Sequence, residues 1–267
     1  MSIMAIAHFT GLKSVSESLI KPQLYWDVNV SGSANILRLA AHTECSKFVF
    51  SSSCTVYGDT TTSTISESSD LCPVNPYGIT KLKAEDLIRL HAIENPLFKY
   101  SILRYFNLLG AHPCGLIGEM PKGSYNNLLP LIHAATHSRR PLTIYGYNLP
   151  APDGTLVRDY VHVADLAHAH ILSLNHLLTS DRQNLILNIG SGTGYSVLQV
   201  IRMYQSVTGI DVDIKFVSKR EGDAISAIAN PELAGEVLKW NPVYGLREMI
   251  EHHVAYAESI TQSHNSG

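Results

Sequence analysis

The stretch Lys47-Phe48-Val49-Phe50-Ser51-Ser52-Ser53-Cys54-Thr55-Val56-Tyr57-Gly58, followed by Asn75-Pro76-Tyr77-Gly78-Ile79-Thr80-Lys81, decides how the chain is read. The apolar run through Phe50 predicts a short buried strand with Ser51 to Ser53 at its carboxyl end. Asn75 and Pro76 suit the N-cap and first position of a helix that opens at Tyr77. Tyr77 and Lys81, four residues apart, then share one helical face. A phenol, an ammonium and a strand-end hydroxyl that converge make a proton-transfer constellation. The ammonium is expected to hold Tyr77 ionisable below its ordinary pKa of about 10. Tyr-x-x-x-Lys alone is a common spacing, and a structural role fits it equally well.

Composition narrows the class. With 267 residues, 45% of them hydrophobic, the chain can bury a full core. A net charge of −3 with no long run of either sign does not suggest nucleic-acid or membrane-surface binding. Cys45, Cys54, Cys72 and Cys114 form no Cys-x-x-Cys pair, which fits reduced thiols in a cytoplasmic protein better than disulfides or a zinc site. No apolar segment approaches the roughly 20 residues of a membrane span, and the N-terminus has no signal-peptide core. None of the 13 histidines shows metal-ligand spacing. His168 and His170 point in different directions from a helix and read as surface or core residues.

Around the central stretch, residues 3–8 read as a strand, and Ser14 to Leu19 and Pro22 to Ala41 as helices. The Tyr77 helix runs to about His91, and Tyr100 to Phe106 is another strand. This alternation predicts a parallel α/β sheet. From Asn107 the texture changes, with an ordered loop through Gly123. Helices are expected over Asn126–Thr136, Val163–Leu178, Val197–Val207 and Gly245–Ile260. Strands are expected over Leu142–Tyr145, Leu185–Ile189 and Val212–Val217. Residues 1–107 then form one part and 108–267 another, within one compact body.

Several strings, in order along nearly the whole chain, are similar to the UDP-glucose 4-epimerases of the extended short-chain dehydrogenase/reductase superfamily. Besides the central stretch they are Phe9-Thr10-Gly11-Leu12-Lys13, Arg104-Tyr105-Phe106-Asn107, Gly110-Ala111-His112-Pro113, Asn126-Asn127-Leu128, Asp153 through His162, and Arg220-Glu221-Gly222-Asp223. The resemblance implies an NAD-binding, Rossmann-like parallel sheet over 1–107 and a smaller UDP-sugar-binding subdomain over 108–267. It implies that NAD takes a hydride from C4 of the hexose and returns it to the other face. Tyr77 would be the acid/base, Lys81 would lower its pKa and bind the nicotinamide ribose, and Ser53 would hydrogen-bond the sugar oxygen. Phe9, Gly11, Leu12, Lys13 and Phe106 match cofactor-contacting positions. Asn107, Asn126 or Asn127, Leu128, Thr143, Tyr145, Arg158, Tyr160, Arg220 and Asp223 match UDP-hexose-contacting ones, the two arginines suiting a diphosphate. A homodimer is what such proteins suggest.

Three departures accompany the resemblance. The 267 residues contain no G-x-x-G-x-x-G turn, so the sheet is expected to lack its first strands, about 60 residues or more at roughly 30 per strand-helix-strand unit. Residues 3–8 would then form an exposed apolar edge, and NAD affinity and activity would suffer. Val28 stands where such proteins carry a cofactor-contacting Asn. Ala227 is small at a pocket-wall position, which implies room for an N-acetyl group. Two other readings are a catalytically dead UDP-sugar-binding protein and an NAD-dependent sugar-nucleotide dehydratase. The dehydratase wants a carboxylate pair after Ser53, where Cys54 and Thr55 stand.

Overall fold

The computed structural model describes residues 3–60, 64–119, 127–180, 184–220 and 222–265. Strands β1 (Ile6–His8), β2 (Lys47–Ser53), β3 (Lys99–Tyr105) and β7 (Leu185–Ile189) form a parallel sheet in that order. The other strands are β4 (Asn107–Leu109), β5 (Leu142–Tyr145), β6 (Val157–His162), β8 (Gly194–Ser196), β9 (Ile214–Val217) and β10 (Ser226–Ala227). The β10-β6-β4 sheet is parallel, β8 joins β6 antiparallel, and β5 pairs with β9 in parallel. Because β7 comes from beyond residue 107, the change of texture there runs through the main sheet rather than between two bodies.

Helices cover both faces of that sheet, so its strands read as nearly continuous apolar runs. The helices are α1 (Val15–Ile20), α2 (Pro22–Tyr25), α3 (Gly32–His42), α4 (Pro76–Glu94), α5 (Leu128–Ser138), α6 (Val163–Thr179), α7 (Val197–Thr208), α8 (Glu232–Leu238) and α9 (Leu246–Asn265). Phe48, Phe50 and Ile102 pack under α3 and α4 with Leu37, Ala84 and Ile88. Val49, Leu103 and Leu187 face the other way, against Leu166 and Ala169 of α6 and Trp240 after α8. Among the described residues β1 pairs only with β2, and Ile3 and Met4 before it are exposed.

Several elements differ from the sequence reading. β2 continues through Ser53, because each serine makes a polar contact in place of apolar packing. The helix expected over Pro22 to Ala41 contains a π-helical turn, Trp26–Ser31. β1 is shorter than residues 3–8, and the strand before β10 starts at Ile214 rather than Val212. β6 and α8 were not legible as elements. β6 buries Asp159 completely, which breaks the apolar pattern of a core strand. That carboxylate accepts hydrogen bonds from Ser191 N and Oγ, Gly192 N and Ala229 N, at 2.7 to 3.1 Å.

An ion pair binds α4 to the sheet. Ser52, Arg104 and Asn188 lie side by side across β2, β3 and β7. Glu85 of α4 accepts from Ser52 Oγ, from Arg104 Nε at 3.0 Å and from Arg104 Nη2 at 2.6 Å. Arg104 Nη1 donates to Tyr57 Oη at 2.9 Å, and Tyr57 donates to Asn188 Oδ1 at 2.7 Å. Both charged side chains are essentially solvent-free. Removing one partner leaves an uncompensated buried charge. Arg104→Met is expected to lower the unfolding free energy by about 3–5 kcal/mol in urea titrations, and adding Glu85→Gln is expected to restore most of it.

Candidate active site

Helix α4 starts where the local sequence tells it to. Asn75 Oδ1 accepts from Gly78 N at 2.9 Å, and Pro76 fills the first helical position. A Cβ on Gly78 would lie 2.6 Å from Thr55 O, so only glycine lets the helix start rest on the Cys54–Val56 turn that ends β2. This close approach brings Tyr77 to the end of β2, where the Ser53 hydroxyl bears on its phenol. Ser53 Oγ also accepts from Thr55 Oγ1 at 3.0 Å. Tyr77, Lys81 and Ser53 are all buried.

Burial moves the two titratable groups in opposite directions. The Tyr77 phenol is pushed up to about 12, mainly by desolvation, with Ser53 opposing. The Lys81 ammonium is brought down to about 8 by desolvation, with the Glu85 carboxylate opposing. Lys81 Nζ donates to Ser51 O at 2.8 Å and lies 5.0 Å from the centre of the Phe50 ring. The expectation that Lys81 lowers the Tyr77 pKa is therefore corrected for the unliganded chain. The ammonium is directed at a backbone carbonyl, and loss of water is the largest influence on the phenol.

The Phe9-to-Lys13 loop passes over this pair. A Cβ on Gly11 would come within 3.5 Å of Lys81 Nζ. Leu12 is tied by its backbone: its N–H donates to Asn29 Oδ1 at 2.8 Å, and Asn29 Nδ2 donates to Leu12 O at 3.0 Å. The same Nδ2 reaches Thr80 Oγ1 at 3.0 Å. Val28 carries no amide, but its neighbour Asn29, in the π-helical turn, anchors the loop. Sequence reasoning missed Asn29, although an Asn inside an apolar helix is a usable signal. Phe9 is exposed and stacks on His170 at 4.6 Å, and Lys13 pairs with Glu119 at 3.0 Å. Phe106 is buried among Val56, Tyr57, Ile65 and Ala227.

A cavity of about 630 Å³ opens beside the site. Its lining includes Lys13, Asn107, Asn127, Leu128, Thr143, Tyr145, Arg158, Tyr160, Arg220, Asp223 and Ala227. Asn126 lies outside the described residues. Ser53, Tyr77, Lys81, Phe9, Gly11, Leu12 and Phe106 do not line this cavity, although Cys54, Thr55 and Asn75 connect it to them. The two arginines differ in their commitments. Arg158 donates to the carbonyls of Val157, Ala224 and Ile225, whereas Arg220 pairs with Asp223 at 3.0 Å over the Tyr145 ring. The half-exposed Arg220 guanidinium is the more available of the two to an anion.

Comparison with known proteins gives the family and the fold. The family model described as the NAD dependent epimerase/dehydratase family matches residues 2–190. The chain is 46% identical over 249 residues to UDP-glucose 4-epimerase 1 of Oryza sativa subsp. japonica, spanning 92% of this chain and 70% of that one. It is 42% identical over 249 residues to the UDP-glucose 4-epimerase of Bacillus subtilis, spanning 92% and 73%. Among the rice relatives the share of their length matched falls to 60% for UDP-glucose 4-epimerase 2. The fold superposes on the Stenotrophomonas maltophila UDP-glucose-4-epimerase solved with NAD and formylated UDP-arabinopyranose. The TM-score is 0.93 at 37% identity, covering 98% of this chain and 78% of that one. The Bifidobacterium longum enzyme solved with NAD+ and UDP gives a TM-score of 0.92 at 35% identity, covering 96% and 77%.

The depressed Lys81 pKa has a stability consequence of definite sign. Between about pH 8 and 10.5 the unfolded chain holds a proton on this amine that the folded chain lacks. Stability from this group is therefore greatest above pH 10.5 and falls as pH drops to 8. Lys81→Met removes that dependence. Its stability relative to the parent is expected to be most favourable near pH 7.5 and to decline by about 1–3 kcal/mol by pH 10.5, read by urea denaturation across the range.

Proposed function

The chain belongs to the NAD dependent epimerase/dehydratase family, and from that premise we propose that it interconverts UDP-galactose and UDP-glucose at C4 with NAD as cofactor. The observation that carries the reading is the burial of Ser53, Tyr77 and Lys81 where α4 starts against the carboxyl end of β2, beside a cavity lined by the residues proposed to hold UDP-hexose. Ligands of open α/β sheets bind at this end of the strands.

The residues next to Lys81 suit the nicotinamide end of NAD. Gly11 leaves its Cα bare toward Lys81, and the Asn29 amide fixes the loop that carries it. An ammonium has three donors, and one of them is engaged with Ser51 O, which leaves two for a ribose. When bound, NAD supplies a hydride acceptor and donor for the sugar C4. The chain's own residues manage the proton and the pose. Tyr77 removes the 4-hydroxyl proton and later returns it, while Ser53 hydrogen-bonds the same sugar oxygen. A phenol held near 12 needs positive charge at hand to give up its proton near neutral pH, and Lys81 is the nearest cation on its face of α4. Arg220, backed by Tyr145, meets the diphosphate, and Asn107, Asn127, Arg158 and Tyr160 complete the sugar-nucleotide wall.

A cytoplasmic location is supported by four unpaired cysteines, and no described helix is long and apolar enough to cross a membrane. We extend the reading to a homodimer on the resemblance alone.

NAD released on denaturing the purified chain, together with conversion of UDP-galactose to UDP-glucose in a coupled assay, tests the reading. Absence of both with NAD added in excess would favour a non-catalytic UDP-sugar-binding protein. Tyr77→Phe is expected to lower kcat by about 10²- to 10⁴-fold while calorimetry shows UDP binding retained. Ala227, buried in the cavity wall, leaves room for an N-acetyl group, so UDP-N-acetylhexosamines are expected to turn over. Ala227→Tyr should cut kcat/KM for them by about 100-fold, more than for UDP-galactose. An active chain that refuses the N-acetyl sugar would sink the Ala227 assignment.

A further inference from the structure

Tyr77, Lys81 and Glu85 stand at intervals of four along α4, so one helical face carries the phenol, the ammonium and a carboxylate in succession. The carboxylate is fully buried and accepts three hydrogen bonds. Ser52 Oγ and Arg104 Nε share Oε1, and Arg104 Nη2 holds Oε2. A buried ion pair is a poor source of net stability, since well-packed apolar residues of similar size often serve as well or better. Its place one turn beyond Lys81 therefore asks for another reason.

We propose that Glu85 is a positioning residue for the acid/base pair: anchored to Ser52 and Arg104, its carboxylate sets α4 against the end of β2 and stands one helical turn from the Lys81 ammonium as its counter-charge. The proposal deepens the epimerase reading and rests on it for the roles of Tyr77 and Lys81. Neighbouring Cβ atoms at this spacing are about 5–6 Å apart, close enough in a dry interior for one full charge to act on the other. The titratable groups whose charge bears on Lys81 or is borne on by it are Glu85 of α4 and His8 of β1, with Tyr77 one turn before it on α4 and Arg104 of β3 beyond the carboxylate it binds. His8 is itself driven neutral, to about 4, by burial and then by the Lys81 charge, so it adds no second cation. Glu85 is the group whose charge counters the desolvation of Lys81. Ser52 and Ser53 are consecutive in β2, so the residue that holds Glu85 adjoins the one proposed to work with Tyr77. A shift of α4 along the sheet would break the contacts at both ends together.

The test titrates Lys81 directly. The parent and Glu85→Gln, each shown to be folded by circular dichroism, are acylated with limiting acetic anhydride from pH 6.5 to 10.5. The Lys81 peptide is then quantified by mass spectrometry, with no NAD or sugar present. The parent midpoint is expected near 8, and in Glu85→Gln it is expected to fall by about half a pH unit or more. In the coupled assay the alkaline limb of kcat should move the same way, a change that a purely structural role would not produce. An unmoved Lys81 midpoint in folded Glu85→Gln overturns the proposal. If that variant does not fold, the same measurement on Glu85→Gln/Arg104→Met decides, with the same direction expected because the charge acting on Lys81 is that of Glu85. Failure of both variants to fold also overturns it, because the pair is then a stability element. Since acylation needs neither cofactor nor substrate, a midpoint shift in a chain without turnover would reject the epimerase reading and leave the electrostatic role standing.

Discussion

The Glu85–Arg104 ion pair is the constraint on which the geometry of the site depends. It holds a helix to two strands through three hydrogen bonds to one carboxylate, and Arg104 extends the hold through Tyr57 to Asn188 on the next strand. The parallel register that puts Ser52, Arg104 and Asn188 in one row makes this possible. Apolar packing of Ala84 and Ile88 would hold α4 to the sheet, but it is non-directional and tolerates sliding. A bidentate pair does not. The helix therefore meets the strand end at one height, with Gly78 resting on the Thr55 carbonyl.

The price of that arrangement is desolvation. The same burial that orients the site raises Tyr77 and lowers Lys81, moving both toward their neutral forms. Each shift opposes the phenolate–ammonium pairing that the proposed proton transfer needs. Glu85 counters one of them, and the ammonium donors left free by Ser51 are available for the other. Asn29 adds a second rigid point by holding both backbone polar groups of Leu12, so the loop over Lys81 does not depend on its exposed side chains. The cavity, by contrast, is lined from many segments, and its polar groups differ in how far the chain already engages them.

Local signals were the most legible. The Asn75–Pro76 start of α4 was readable because capping and the proline φ restraint act within one turn. β5 and β7 were readable end to end because short apolar runs between breakers need no distant partner to be identified. The serines of β2 and the polar residues of β6 misled the pattern, since their side chains are satisfied by groups far along the chain. Ser52 reaches Glu85, and Asp159 reaches Ser191, Gly192 and Ala229. The π-helical turn that carries Asn29 had no local breaker to announce it.

Read alone, the sequence determined the class of fold and the start of the helix bearing Tyr77 and Lys81, and, through strings in family order, it named the residues to propose for the site. Those properties depend on residue type and short spacing. Tertiary structure alone decided that Lys81 turns to Ser51, that Glu85 is buried against Arg104, that Asn29 rather than its neighbour anchors the loop, and that burial raises the phenol. Such outcomes depend on burial and on partners dozens of residues away, and the free energy of a charge is set by what surrounds it in space.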